Sequence, residues 1–139
     1  MQVREAMAKT ISIATPRDSL RRIAELMKME DAGFIPVCEG DNVVGVITDR
    51  DIVIRGLSNG QGDIANEPAE RFMSRNVATV QADANLEEAA MIMEQREVRR
   101  LPVLENGRLA GILSHGNLVQ ATRSDGPGDK ATLGVTRGA

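Results

Sequence analysis

An α+β fold, built from two β-α-β-β-α repeats packed about a pseudo-two-fold axis, is what the 139-residue sequence predicts. Three observations predict it: a long internal repeat, helical apolar periodicity in each copy, and a hairpin signal after each helix. Sixty-six positions separate Met7 from Met73, and the same offset relates Leu20 to Leu86, Met27 to Met93, Pro36 to Pro102, Gly45 to Gly111 and Val53 to Val119. Conservative pairs fill the interval, among them Ile11 with Val77, Ile35 with Leu101, Ile47 with Leu113 and Thr48 with Ser114. No insertion is needed between residues 7 and 53, so the chain is a duplication.

Each copy opens with an extended segment, Ile11 to Ala14 or Val77 to Val80. A helix follows, with Leu20, Ile23, Ala24 and Met27 at i, i+3, i+4 and i+7, matched by Leu86, Ala89, Ala90 and Met93. Asp18 or Ser19 can cap the first helix, and Asn85 with Glu88 fits a capping box at the second. The apolar runs Ile35-Pro36-Val37-Cys38 and Leu101-Pro102-Val103-Leu104 then lead through turn residues (Gly40-Asp41-Asn42; Asn106-Gly107) into Val43–Thr48 and Leu109–Ser114. That pattern is a β-hairpin in both copies. A second helix is expected near 50–57 and 116–122. The polar stretch at 56–68 marks the connection, so repeat 1 is placed at 1–57, the linker at 58–69 and repeat 2 at 70–122. Residues 123–139 show no apolar periodicity and are read as a flexible tail. A unit this small buries little apolar surface alone. Two units face to face share one core and create two equivalent clefts.

Composition narrows the function classes. Two phenylalanines, with no Tyr or Trp, leave no aromatic platform for stacked bases. Seventeen basic against twenty acidic residues, a formal charge of −3, argue against a general nucleic-acid binder. The single cysteine, Cys38, lies in an apolar run and is read as a buried, inert thiol. No signal-peptide layout and no apolar run near the ~20 residues of a membrane span occur, which points to a cytoplasmic protein without a membrane partner.

The strings Val-Arg-Glu-Ala-Met at 3–7, Ile35-Pro36-Val37 and Gly45-Val46-Ile47-Thr48-Asp49-Arg50-Asp51-Ile52 resemble a CBS domain, the repeat named after cystathionine β-synthase. In the second copy Arg99-Arg100-Leu101-Pro102-Val103 and Gly111-Ile112-Leu113-Ser114-His115-Gly116-Asn117-Leu118 carry the same resemblance, which covers residues 3 to about 122. The pair resembles a Bateman module. The resemblance implies a regulatory module that binds adenosine-containing ligands (AMP, ADP, ATP, NAD or S-adenosylmethionine) and pairs into a homodimer. It implies no required cofactor. The family motif runs Gly, two apolar residues, Thr or Ser, two variable residues, then Asp or Asn. The first copy fits through Gly45, Thr48 and Asp51, the second through Gly111, Ser114 and Asn117.

Physical chemistry supports those roles. A hydroxyl where a strand meets a helix lies beside backbone N–H groups that favour phosphate, and a carboxylate three residues on accepts ribose hydroxyls. Asn117 offers only a neutral amide, so the second motif is expected to bind ribose differently. Arg50, Arg99 and Arg100 are the candidate phosphate partners, and Gly33-Phe34 stand where the second copy has Arg99-Arg100. One better nucleotide site is expected, with Asp51 on the ribose, Arg50 or Arg100 near the phosphates, and adenine against Ile11, Ile35, Val77 and Leu101.

Other readings compete. Thr48-x-x-Asp51 is also a helix-capping box, and Arg96, Arg99 and Arg100 can simply complement a helix end. His115 has no partners at ligand spacing, so no metal site is predicted and it is read as a surface residue. Asp49 and Asp51 lack an accompanying nucleophile or base, and no catalytic constellation is present. The leading function is an adenosyl-ligand sensor acting in trans on an unknown protein effector. A dimerisation scaffold with degenerate clefts is the alternative, and a nucleotide hydrolase fits least.

Overall fold

The computed structural model describes residues 1–59 and 62–124; of the tail expected at 123–139, residues 125–139 lie outside the described part. In chain order the elements are helix α1 (Val3–Ala6), helix α2 (Leu20–Glu30), strands β1 (Phe34–Glu39) and β2 (Asn42–Thr48), and a helical turn α3 (Asp49–Asp51). A π-helical stretch (Ile52–Ser58) continues α3, and a 3-10 turn (Ala69–Arg71) follows the linker. Then come strand β3 (Val80–Gln81), helix α4 (Leu86–Arg96), strands β4 (Arg100–Glu105) and β5 (Arg108–Ser114), and helix α5 (His115–Ser124). No helix among the described residues is long and apolar enough to cross a membrane.

The duplication survives in detail. Ser19 Oγ accepts the Arg22 amide at 3.1 Å and Asn85 Oδ1 accepts the Glu88 amide at 2.8 Å, so both long helices start on side-chain caps. Asp18 instead turns back to accept the Thr15 amide at 2.8 Å. Both helices stop at a left-handed residue, Asp31 (φ 52°) or Glu97 (φ 54°). The next amides, of Ala32 and Val98, close on the Met27 and Met93 carbonyls, which satisfies the helix C-termini. The apolar face of α2 is rotated from the one the periodicity suggests: Leu20, Ile23 and Leu26 are buried, Met27 is partly buried, and Ala24 is exposed. Leu26 carries more apolar surface than Ala24, and burial selects it.

Strands β1 and β2 pair antiparallel with Ile35 opposite Ile47 and Val37 opposite Gly45. Strands β4 and β5 repeat that register, with Leu101 opposite Leu113 and Val103 opposite Gly111, and each hairpin has an irregularity one residue later. The extended segments before the helices add only a parallel fringe, a single bridge from Ala14 to Val37 and the two-residue β3 beside β4.

Compact units and sequence repeats are drawn differently. One unit joins residues 1–11 to the described residues from Ala78 on, and the other is Ser12–Val77. Each unit therefore takes its N-terminal segment from the other repeat. In the first unit the amides of Val3 and Arg4 donate to the Ala84 and Ala82 carbonyls, and Ala8 exchanges two bonds with Ile112. In the second, Ala69 and Glu70 donate to Asp18 and Pro16, and Ser74 exchanges two bonds with Val46. Gly45 and Gly111 make room for these segments. A Cβ at Gly45 would lie 2.6 Å from Met73 Sδ, and one at Gly111 2.5 Å from the Ala8 carbonyl oxygen.

Buried side chains form two clusters, one per unit, where the repeat alone suggests a single shared core. Val3 joins Leu86, Met93, Leu101, Val103 and Leu113 in one. Ala69, Phe72 and Met73 join Leu20, Ile23, Ile35 and Ile47 in the other. The exchanged segment supplies the apolar cover that a lone repeat lacks. Cys38 is buried at the edge of β1, and burial, then the nearby Asp41 carboxylate, pushes its thiol up from the ordinary range.

Candidate ligand-binding site

In the unit of residues 12–77, β2 ends at Thr48 and a helix starts at once. Thr48 Oγ1 accepts the Asp51 amide at 3.1 Å, and Asp51 Oδ2 accepts the Thr48 amide at 2.9 Å. The capping box is thus fully formed. It uses only one carboxylate oxygen. Oδ1 faces Arg55 Nε at 3.9 Å, an ion pair without a hydrogen bond, on a side chain that is 14% exposed. An ionised carboxylate oxygen with lone pairs to spare, held rigid at a strand end, is an acceptor for hydroxyl donors.

The equivalent place in the other unit has opposite polarity. Asn117 Oδ1 accepts both the Ser114 amide (3.2 Å) and the Ser114 hydroxyl (2.8 Å), and Ser114 Oγ accepts the Asn117 amide at 3.0 Å. Because the Ser114 amide can only donate, the Asn117 oxygen must face it, which leaves the side-chain nitrogen, a donor, away from that bond. One motif therefore presents a charged acceptor and the other a neutral donor.

The flanking positions differ just as sharply. The Asp49 amide donates to the Gly33 carbonyl at 3.0 Å, and the His115 amide to the Arg99 carbonyl at 2.7 Å. A Cβ at Gly33 would sit 2.3 Å from an Asp49 carboxylate oxygen, so that carboxylate claims the space above Gly33. Sequence comparison registers only a missing basic residue there. In the other unit Arg99 is exposed, Arg100 lies directly across from Ser114 in the strand register, and His115 Nδ1 is buried without a hydrogen-bond partner. His115 is itself partly buried, more enclosed than a surface residue would be. Arg50 is exposed, with its amide on Asp49 Oδ1.

The sequence candidates divide between the units. Ile35, Thr48, Arg50, Asp51 and Val77 fall in one, and Ile11, Arg99, Arg100, Leu101, Ser114 and Asn117 in the other. Ile11 and Val77 are partly buried and keep surface to offer. Ile35 and Leu101 are 1% and 0% exposed and pack in the two cores, so in this conformation they offer a ligand none. Arg55 was not singled out from sequence, although its i, i+4 spacing from Asp51 on a helix is a legible ion-pair signal. No group of three or more His, Cys, Asp or Glu that could hold a metal ion occurs among the described residues.

Comparison with known proteins decides the family. The model of the CBS domain matches residues 3–57 and again 69–124. The chain belongs to the CBS-domain family. A CBS domain-containing protein of Bacillus subtilis, YhcV, is 33% identical over 84% of this chain and 81% of its own length. Among solved structures, Hypoxic Response Protein I with two coordinated zinc ions superposes with a TM-score of 0.78 at 32% identity, over 86% of this chain and 97% of that one. CBSX2 in complex with AMP superposes with a TM-score of 0.77 at 26% identity, over 89% and 97%. Both CBS motifs of the present chain thus sit on strand-to-helix junctions of the same kind, and their polar ends are unlike.

Proposed function

We propose that this CBS-domain pair is a regulatory module that binds an adenosine-containing ligand and passes the signal to a protein effector in trans. The observation that carries the reading is Asp51: a largely buried carboxylate, fixed by its capping bond to Thr48, with Oδ1 left to accept ribose hydroxyls. Support comes from the AMP complex of CBSX2. Arg50, Arg99 and Arg100 are the candidate partners for phosphate oxygens, since guanidinium forks match them. Asp49 and Asp51 repel phosphate locally, so within its own unit Asp51 suits the diol. The ligand is bound and released unchanged. The protein works as a homodimer in the cytoplasm, and the exposed Val53, Ile54 and Leu57 supply apolar surface for pairing.

A calorimetric panel of AMP, ADP, ATP, NAD and S-adenosylmethionine tests this. Asp51→Ala removes hydrogen bonds to a charged group, so affinity for the binding member should fall about 10- to 100-fold, with the circular dichroism spectrum unchanged. No binding by any of the five at millimolar concentration would leave the scaffold reading, which the ligand-independent completeness of both capping motifs favours.

A further inference from the structure

The two oxygens of Asp51 serve different partners. Oδ2 holds the Thr48 amide, while Oδ1 faces Arg55 Nε at 3.9 Å. The same guanidinium reaches the opposite way. Its Nη1 donates to the Phe72 and Met73 carbonyls at 3.3 and 3.2 Å. Those carbonyls follow the 3-10 turn of the exchanged segment, which Ser74 then fastens to Val46 through amide bonds of 2.8 and 2.9 Å. Arg55 thus spans from the candidate ribose carboxylate to the segment that repeat 2 lends to this unit.

The other unit has no such span. At the sixty-six-residue offset Asn117 replaces Asp51 and Ala121 replaces Arg55, and Ala121 packs against the core. Its exchanged segment is fastened by the same kind of bonds, Ala8 with Ile112 at 2.9 and 3.0 Å. Charge and counter-charge differ together. Helix capping does not require that, because Asn117 receives the Ser114 amide as Asp51 receives that of Thr48.

We propose that Arg55 is a positioning residue that couples ligand binding at Asp51 to the fastening of residues 69–74. This rests on the adenosyl-ligand reading above. Ribose hydroxyls donating to Oδ1 engage the oxygen that the guanidinium faces at 3.9 Å without a hydrogen bond. The Arg55 side chain is 51% exposed, and an ion pair of that kind is weak enough to be redistributed. Once Asp51 is engaged by hydroxyl donors, its pull on the guanidinium weakens and Arg55 shifts its hold on the two carbonyls. Occupancy is then reported in a segment that belongs by sequence to the other repeat, and segment 3–8 stays silent.

Amide hydrogen exchange of the full chain, followed by NMR at Ser74 and at its counterpart Ala8, tests the coupling. Saturating AMP, or the member of the five-ligand panel that binds if AMP does not, should speed Ser74 exchange relative to Ala8 by at least about threefold. Arg55→Ala should keep ligand affinity within about tenfold yet abolish the Ser74 response. Arg55→Lys keeps the charge without the fork and should restore part of it. In the free protein Asp51→Asn should speed Ser74 exchange and leave Ala8 unchanged. A Ser74 response that survives Arg55→Ala, or free-protein exchange indifferent to Asp51→Asn, overturns the coupling while the ligand reading stands. Failure of the wild-type chain to bind any of the five adenosyl ligands overturns both.

Discussion

The two units share backbone plan, helix caps, hairpin register and exchanged N-terminal segment, yet they differ at the end where β2 and β5 run into their helices. One end carries Asp49, Asp51 and the Arg55 counter-charge; the other carries Arg99, Arg100, His115 and a neutral Asn117. The difference separates what a CBS repeat needs in order to fold from what is open to specialisation. The hairpin core pairs, Ile35 with Ile47 and Leu101 with Leu113, and the bonds that fasten the exchanged segments are kept in both copies. The charged and polar groups named at the junction have diverged, because the third helical residue of the capping box can take the strand-end amide as Asp or as Asn.

If the units are equivalent in their cores, equivalent truncations should cost alike. Ile47→Ala and Leu113→Ala each remove a side chain with 0% exposure, so each should lower stability by about 2–5 kcal/mol in chemical denaturation. Values differing by more than a factor of two would show that one unit dominates folding. A finer contrast lies at the two glycines. A Cβ at Gly111 meets the Ala8 carbonyl oxygen at 2.5 Å, and one at Gly45 meets the Ser74 oxygen at 2.9 Å and a flexible Met73 Sδ. Overpacking costs about 1–3 kcal/mol, and Gly111→Ala should fall at the high end, Gly45→Ala at the low end. Equal losses would mean that the exchanged segments yield equally. The smallest effect should be at the caps. Ser19→Ala and Asn85→Ala each leave one helix-start amide without its partner, and thermal melts should report about 1 kcal/mol for each.

Much of this architecture is legible in one sequence because it is local. Helix starts follow from Ser19 and Asn85, and the hairpins from apolar runs flanking Gly40 and Asn106-Gly107. Periodicity placed the α4 face on Leu86, Ala89, Ala90 and Met93, of which Ala90 is only partly buried and the other three are buried. It set the α2 face one position off, since Ala24 and Leu26 are both apolar and only packing distinguishes them. The candidate site was legible as residue types. Thr48 and Asp51 do meet, as do Ser114 and Asn117. Ile35 and Leu101 are buried together with Pro36, Val37, Pro102 and Val103, in apolar runs covered on both faces.

The sequence by itself determined the duplication, the order of elements and the chemical inequality of the two motifs, because each is encoded by residues within a few positions of one another. Only the tertiary structure decided that Val3-Arg4-Glu5-Ala6 completes the core of the second repeat and Ala69-Glu70-Arg71 that of the first. Neither four-residue helix nor single 3-10 turn has enough local signal to name its partner. The same exchange brings the Phe72 and Met73 carbonyls to Arg55 and, through it, to Asp51. A link that spans seventeen or more residues in sequence is chosen by packing, and no spacing rule within one helix could have announced it.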